Sequence, residues 1–274
     1  MFAVPAKGRQ LEKGATAQLI ATTSPENASN KQVIWTSSNE RVATVSEEGV
    51  VSGVGVGTAE ITATTVDGGY TASCTISVIC ATPVAVDLGL SVKWASFNVG
   101  ASAPKEYGDY FAWGETEPKE DYCWETYKWC MGSQSTLTKY CNYSGYGYNG
   151  FTDNKTELDP EDDAATVNWG ENWHMPTYNE LNELKTQCTW TWTTQNGVSG
   201  RLVTGPNGNS IFLPAAGYRY GTSLDGAGSG GYDWSSSLFT DYPREACYVR
   251  FNSGGPIGGS GYRFYGQSVR PVCD

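Results

Sequence analysis

The chain has 274 residues, a formal net charge of −11 and a pI near 4.6, a length that suits one large or two ordinary domains. So acidic a chain argues against nucleic-acid phosphate as a partner, and no run of about eighteen apolar residues is present to cross a membrane. With 33 glycines, 12 prolines and many short β-branched runs, the composition points to β structure joined by long loops. No secretory signal pattern stands at the start, and the expectation is that any such segment was removed or never existed. The eight cysteines, Cys74, Cys80, Cys123, Cys130, Cys141, Cys188, Cys247 and Cys273, suggest an oxidising compartment. They allow too many pairings for connectivity to be read. None has CxxC zinc spacing, and the single histidine, His174, cannot build a His-rich site. Buried or structural thiols are expected, and no metal or cofactor is.

Residues 1–80 read as a small all-β domain. Residues 17–22 and 32–36 are strand candidates, the second followed by the turn residues Ser37, Ser38 and Asn39. Residues 42–45 lead to Gly49, and 50–51 to Gly53. Alternation over 59–64 puts Ala59, Ile61 and Ala63 on one face. Asp67-Gly68-Gly69 then turns the chain into a last strand over 70–78. Strands about every ten residues, divided by turn signals, predict a sandwich. Gly53-Val54-Gly55-Val56-Gly57 is not a phosphate loop, because it lacks GxGxxG spacing and opens onto a strand. Residues 80–84 form a join too short for free tumbling.

From residue 81 a second domain begins. Residues 86–95 are its first predicted strand and residues 107–115 an aromatic second one. Residues 121–151 hold three cysteines and many rings with little periodicity. They predict a long loop-rich insertion tied to the core by aromatics, with Cys130–Cys141 as a candidate bridge. Residues 153–163 carry six acids against one base, Lys155. Hard cations want carboxylates, but the spacing does not fit an EF-hand. It fits a helix start, with Asp159 as N-cap and Pro160 at N1. Thr177 and Glu180 make a capping box for a second helix, whose Leu181 and Leu184 share a core-facing side. His174, with no neighbouring nucleophile or ligand set, reads as structural.

The stretch 211–274 organises the rest. It is rich in Tyr, Ser, Gly and Asn with scattered Arg and Asp, and has no lysine, which is the composition of a paratope. Tyr offers a large flat contact at low entropy cost, while Gly and Ser let the backbone fit around it. Trp234, opening Trp234-Ser235-Ser236-Ser237, is assigned to a buried strand. Tyr242, among turn and charge signals in Asp241-Tyr242-Pro243-Arg244-Glu245, is assigned to the surface.

Several motifs carry resemblances. Leu-Glu-Lys-Gly-Ala-Thr-Ala-Gln-Leu, Val-Ile-Trp-Thr-Ser-Ser-Asn and Gly-Thr-Ala-Glu-Ile-Thr-Ala-Thr in the first 80 residues resemble the group 2 bacterial immunoglobulin-like domain, which implies an extracellular spacer or presenter. Val-Asp-Leu-Gly-Leu-Ser-Val-Lys-Trp-Ala, Gly-Asp-Tyr-Phe-Ala-Trp-Gly-Glu, Trp-His-Met-Pro-Thr, Ile-Phe-Leu-Pro-Ala-Ala-Gly-Tyr-Arg and Gly-Gln-Ser-Val-Arg-Pro-Val resemble the C-type-lectin-fold group related to formylglycine-generating enzymes. His174 departs from that group, which usually has Arg there. The implied fold class is mainly β with an α+β second domain: an immunoglobulin-like β-sandwich over 1–80, then a C-type-lectin-like domain over 81–274.

More narrowly, the tail resembles the variable proteins of diversity-generating retroelements, in which Asn and Tyr codons scatter into many residue types. Fixed islands (Trp234 to Leu238, Phe251-Asn252-Ser253, Arg263, Gly266 to Pro271) alternate with chemically unrelated residues. The variable region spans about 217–265. The resemblance implies an exposed ligand-binding face made of Tyr220, Asp225, Tyr232, Asp233, Phe239, Tyr242, Arg244, Glu245, Cys247, Tyr248, Arg250, Tyr262, Phe264 and Tyr265, with Cys247 a free thiol.

The expected function is therefore surface-displayed ligand binding, without catalysis. The partner would be a protein or glycan on a cell surface, not nucleic acid and not a membrane interior. The location would be extracellular, on a phage virion or a bacterial cell. Two alternatives stand beside it. One is a structural surface or pilus-tip subunit. The other is a formylglycine-generating-type oxidase, disfavoured because no His or Lys near Cys247 or Cys273 in sequence lowers a thiol pKa. The calcium motif of sugar-binding lectins, Glu-Pro-Asn or Gln-Pro-Asp, is absent.

Overall fold

The computed structural model describes residues 2–3, 8–24, 30–79 and 81–274, and for 2–3 the backbone alone. Cys80, the first residue of the expected join, lies outside the described residues. The chain divides into two compact units, Met1–Thr82 and Pro83–Asp274. Among the described residues no helix is long and apolar enough to cross a membrane.

The first unit contains β1 (Phe2–Ala3), β2 (Arg9–Glu12), β3 (Thr16–Gln18), β4 (Thr22–Thr23), β5 (Val33–Ser37), β6 (Ala43–Val45), β7 (Val50–Gly53), β8 (Gly57–Thr65) and β9 (Thr71–Ile79). One sheet has the order β2-β9-β8-β5, with β2 parallel to β9, and a second has the order β3-β7-β6. Alternation along β8 does what period two requires: Ala59, Ile61 and Ala63 are all buried. They meet Leu11, Leu19, Val51, Cys74, Ile76 and Val78 in one core between the sheets. The expected strand over 17–22 is interrupted. Leu19 leaves the ladder, its N–H bonds the Gly49 carbonyl at 2.9 Å, and its side chain is buried.

The second unit begins and ends in one small sheet. Its strands β10 (Ala85–Val86) and β11 (Lys93–Ala95) are joined by β20 (Val272–Cys273). The single strand expected over 86–95 is thus two antiparallel strands. The break is at Gly89, whose φ of +75° only glycine adopts without strain. The Asp87 side chain accepts its N–H at 2.7 Å. The aromatic strand expected over 107–115 is also absent, apart from one bridge between Phe111 and Gln267. Six consecutive residues there, Tyr110 to Glu115, are buried, so no alternation supports a ladder. Side chains fix the segment instead. The Tyr110 hydroxyl donates to Ala216 O at 2.6 Å, and Trp113 Nε1 to Ser235 O at 2.8 Å.

Two helices follow, α1 (Ala164–Trp169) and α2 (Tyr178–Gln187). Thr177 and Glu180 close the capping box on α2, and Leu181 and Leu184 are its buried residues. At α1 the capping residue differs from expectation. Pro160 opens only a three-residue 3-10 turn, Pro160–Asp162, and Asp159 makes no side-chain cap. Asp163 is the cap. Its carboxylate accepts from Ala165 N, Thr166 N and, beyond the helix, Met175 N. Asp159 is drawn away by Lys139 at 2.7 Å and Lys155 at 2.5 Å. His174 pairs its backbone with Val272, consistent with a structural role.

The remaining strands are β12 (Thr189–Gln195), β13 (Val198–Thr204) and β14 (Ser210–Pro214) in one sheet, β15 (Tyr218–Tyr220) and β16 (Ser223–Asp225) in a hairpin, and β17 (Gly230–Leu238), β18 (Glu245–Asn252) and β19 (Gly255–Tyr262) in another sheet. Trp94, Leu181, Leu184, Leu213, Val249 and Phe251 fill one core. Phe111, Trp113, Tyr140, Trp234 and Val269 fill the next. The insertion over 121–151 is loop-rich as expected, and its Tyr127, Leu137 and Cys141 are buried with Phe264. The candidate Cys130–Cys141 bridge is not formed. Cys123, Cys130, Cys141, Cys188, Cys247 and Cys273 are free, and the Cys130 and Cys141 thiols reach the carbonyls of Trp124 and Tyr143 instead.

The capping assignment has a direct test. Replacing Asp163 by Ala strands three N–H groups and is expected to lower stability by about 2–4 kcal/mol in chemical denaturation. Asp159→Ala, at a partly exposed ion pair, is expected to cost under ~1 kcal/mol.

Candidate functional site

The face built by the tail follows from strand register. Tyr232 lies opposite Arg250, and Trp234 opposite Tyr248, so these four side chains share one side of the sheet. Asp233 lies opposite Val249 and points to the other side, toward the core. Tyr248 then crosses β19, where Gly259 and Gly261 make room. A Cβ at those positions would stand 3.1 and 2.9 Å from the Tyr248 ring.

Ring contacts join the face into one network. Tyr248 meets Tyr232 at 5.8 Å between centroids, and Tyr232 meets Tyr218 at 4.9 Å. Tyr218 touches Tyr265 at 5.5 Å, and Tyr265 touches Tyr220 at 5.7 Å. Tyr262 stacks on Phe264 at 5.6 Å with 19° between planes. The Arg244 guanidinium lies over Tyr262 and Tyr242, 5.6 Å from each centroid. Tyr242 in turn meets Phe239 at 6.1 Å. These spacings suit edge-to-face and offset packing.

Most of the sequence-predicted positions are therefore adjacent and at least partly accessible. Tyr220, Asp225, Tyr242 and Arg250 are exposed, while Tyr232, Phe239, Arg244, Glu245, Tyr248, Tyr262 and Tyr265 are half-buried. Asp225 pairs across the hairpin with Tyr218, and Glu245 accepts from Ser260 Oγ at 2.6 Å. Three positions do not belong on an open face. Asp233 and Cys247 are buried, on the side of the sheet that carries Val249 and away from Tyr232 and Tyr248. Phe264 is 5% exposed, covered by the rings around it. Trp234 is fully buried and Tyr242 is 48% exposed, as expected for each.

Other residues complete the face and were not singled out from sequence. Tyr218 sits in a motif read as scaffold. Trp124, Glu125, Gly132, Ser133 and Gln134 come from the insertion. With Tyr220, Tyr262, Phe264 and Tyr265 they line a groove of about 400 Å³. Trp124 meets Phe264 at 5.0 Å and Tyr262 at 6.1 Å. Gln134 Oε1 accepts from Arg244 Nη1 at 3.0 Å. The only advance signal was the ring density of 121–151, which spacing could not tie to the tail. A smaller depression of about 130 Å³, lined in part by Tyr232, Arg250 and Ile257, lies at the other end.

Electrostatics separate the face from its support. Burial pushes Asp233 up to about 6, with the nearby Arg270 charge opposing the rise. Asp233 Oδ1 has no partner among the described residues. Arg270, fully buried, is pulled down to about 10 by burial. Its guanidinium donates to Asn98 Oδ1, Ala95 O and Phe212 O at 2.7–3.0 Å. Burial, then Glu157 and Glu245, push the Cys247 thiol up to about 11, the opposite of an activated nucleophile. The acids over 153–163 are largely engaged within the fold. Asp162 holds Lys139 at 2.6 Å and the Tyr140 hydroxyl at 2.7 Å, and Asp153 accepts from Tyr140 N and Cys141 N.

Residues 2–76 match the bacterial Ig-like domain (group 2). The chain is also similar to enzymes and to a minor capsid protein. A 3-O-alpha-D-galactosyl-alpha-L-arabinofuranosidase of Bifidobacterium longum subsp. longum is 52% identical over 64 residues, which is 23% of this chain and 6% of the relative. A kappa-carrageenase of Pseudoalteromonas carrageenovora is 46% identical over 68 residues, 25% of this chain and 17% of the relative. A minor capsid protein of Enterobacteria phage T3 is 47% identical over 76 residues, 28% and 17%. The chain thus spans only a small fraction of these relatives, and the glycoside hydrolases match through the first domain alone.

Among solved structures, the S-layer protein rSbsC(31-844) aligns at TM-score 0.27 and 13% identity, over 95% of this chain and 25% of that one. An intimin mutant of EHEC O157:H7 aligns at 0.23 and 16%, over 80% and 84%. A SusE-like surface located polysaccharide binding protein from the Bacteroides thetaiotaomicron heparin utilisation locus aligns at 0.24 and 11%, over 99% and 32%. Overlaps this low assign no fold to the second unit.

The buried carboxyl predicts a pH signature. A folded-state pKa raised above the unfolded one means that stability falls as pH rises from about 4 to about 6, and that the loss is complete above the folded pKa. Asp233→Asn removes the dependence. The stability difference between variant and parent is expected near zero at about pH 4, growing to about 2–3 kcal/mol in the variant's favour by about pH 7. Urea titrations at several pH values check it.

Proposed function

We propose that this chain is a surface-displayed ligand-binding protein. In this reading its second domain has the C-type-lectin-like fold and presents a diversified face, while the group 2 Ig-like domain serves as spacer or presenter. The observation that carries the reading is the sorting of the tail. Chemically unrelated residues (Tyr220, Tyr232, Tyr242, Arg244, Tyr248, Arg250, Tyr265) gather on one accessible side, while most of the fixed islands are buried. Trp234 to Leu238, Phe251, Arg263 and Gly266 to Pro271 are all inside. A patch so rich in Tyr, with Arg among the rings, has the make-up of binding hot spots. Left without a partner it would be a liability in water.

The ligand is a protein or glycan on a cell surface, and the carrier a phage virion or a bacterial envelope, outside the cell. The similarity to glycoside hydrolases through the Ig-like domain, and to a minor capsid protein, supports that placement. The chain acts without catalysis. Cys247 has a raised thiol pKa and no paired cysteine, which speaks against the oxidase alternative. Diversification itself is tested in the source genome, where a near-copy of the tail's coding sequence, differing at adenines and lying beside a reverse transcriptase, is expected. Its absence removes that part of the reading.

The binding face is tested by randomising Tyr220, Asp225, Tyr242 and Arg250 together in the full displayed chain. Most members are expected to stay protease-resistant, and selection is expected to yield binders to unrelated protein baits. Randomising Asp233 and Cys247 is expected to leave most members protease-sensitive. A face library that is mostly unfolded, or folded but barren, contradicts the reading.

A further inference from the structure

We infer that the groove between the insertion and the end of β19 is a receptor for a cationic side chain, a Lys or Arg presented by a protein ligand. This rests on the reading of the tail as a binding face and names the chemistry of one part of it.

Lys128 and Lys139 lie over Trp129 at 4.2 and 5.0 Å, Lys119 over Tyr122 and Tyr127, Arg263 over Trp113, and Arg219 over Tyr110. Ring faces here are repeatedly covered by the chain's own positive charges. Trp124, Tyr220, Phe264 and Tyr265 are different: among the described residues no cation covers any of them, and Phe264 is enclosed by the other rings. These four line one groove together with Tyr262. Tyr262 already carries the Arg244 guanidinium at 5.6 Å, so the ring cluster takes a guanidinium where one is supplied.

The charge balance points the same way. Glu125 lines the groove and is exposed, and it has no ion pair among the described residues. The nearby lysines are committed elsewhere, Lys119 to Glu115 at 2.9 Å and Lys128 to Asp162 at 3.5 Å, while Arg244 is held at the groove by Gln134 at 3.0 Å. The chain as a whole carries −11, so its long-range field also draws a positive segment inward. Electron-rich faces beside a carboxylate suit an ammonium or guanidinium, which is attracted to the ring quadrupole and to the charge together. In the lining the Ser133 hydroxyl offers an acceptor for its N–H groups, Gln134 Oε1 being taken by Arg244. A neutral sugar would use the rings and would gain little from the carboxylate's charge.

The test uses the full chain and blocked pentapeptides, Gly-Gly-Arg-Gly-Gly and its Lys counterpart, with the citrulline peptide and methyl glycosides as uncharged controls. Binding is read from the Trp124 indole N–H shift, assigned through Trp124→Phe. The Arg and Lys peptides are expected to shift it saturably, and more weakly as salt rises. Glu125→Gln is expected to weaken them at least about five-fold, and Tyr265→Ala similarly, with melting unchanged for Glu125→Gln. Equal binding of the citrulline peptide, or binding of glycosides alone, overturns the cation assignment and leaves the face as a binding site. No shift with any probe, while the randomised-face library still yields binders, overturns the groove assignment only. A silent groove and a barren library remove both.

Discussion

A single buried guanidinium holds the candidate face in place. Arg263 is fully buried and has no ion-pair partner among the described residues. Its Nε donates to the Tyr127 hydroxyl at 2.8 Å, Nη1 to the Tyr140 and Pro243 carbonyls at 3.1 and 3.0 Å, and Nη2 to the Lys139 carbonyl at 3.0 Å. The rings of Trp113 and Tyr127 lie 5.0 and 5.2 Å from its centre. A buried charge is tolerated only when its hydrogen-bonding capacity is met, and here neutral oxygens and ring faces meet it. Removing the group would leave three carbonyls unpaired and take from the Tyr127 hydroxyl the donor it accepts from, a loss of about 3–5 kcal/mol. Its position also decides what it anchors: the insertion on one side, the turn before β18 on another, and Tyr262 and Phe264 as its own neighbours in sequence.

The choice of acceptors matters as much as the bonds. Arg263 uses the backbone oxygens of Lys139, Tyr140 and Pro243, and Arg270 those of Ala95 and Phe212. Trp113 and Trp234 donate to Ser235 O and Phe111 O, and Tyr110 and Tyr127 to Ala216 O and Trp113 O. A scaffold fastened largely to main-chain carbonyls is indifferent to which side chains those residues carry. It also satisfies buried backbone groups in a unit where long loops leave many without a ladder. Such a frame permits side chains on its outer face to change without loosening the core, as the proposed function requires.

Legibility followed periodicity. In the first unit β8 alternates so cleanly that its core face could be named, and the capping box at Thr177 and Glu180 has a local signature that tertiary contacts did not override. The failures share a cause in non-local bonding. The segment 107–115 is as aromatic as a strand, yet Tyr110 and Trp113 find partners more than a hundred residues away. Asp159 has the sequence context of an N-cap, but Lys139 and Lys155 compete for its carboxylate, and Asp163 caps instead. On the face, treating the tail as a run of variable positions ignored strand parity. Asp233 and Cys247 alternate with Tyr232 and Tyr248 and so lie on the side of the sheet that carries the buried Val249. Trp124 and Gln134 had no signal linking them to a tail about 130 residues later.

The central claim is that a buried frame keeps its conformation whatever the face displays. Amide hydrogen exchange of the full chain carrying Tyr220→Ser, Asp225→Ser, Tyr242→Ser and Arg250→Ser together tests it most directly. Protection of β17, β18, β19 and the 266–271 segment is predicted to match the parent's within about threefold, under 1 kcal/mol of opening free energy. Loss of protection across those strands would contradict the account, because the face would then be part of what holds the domain together.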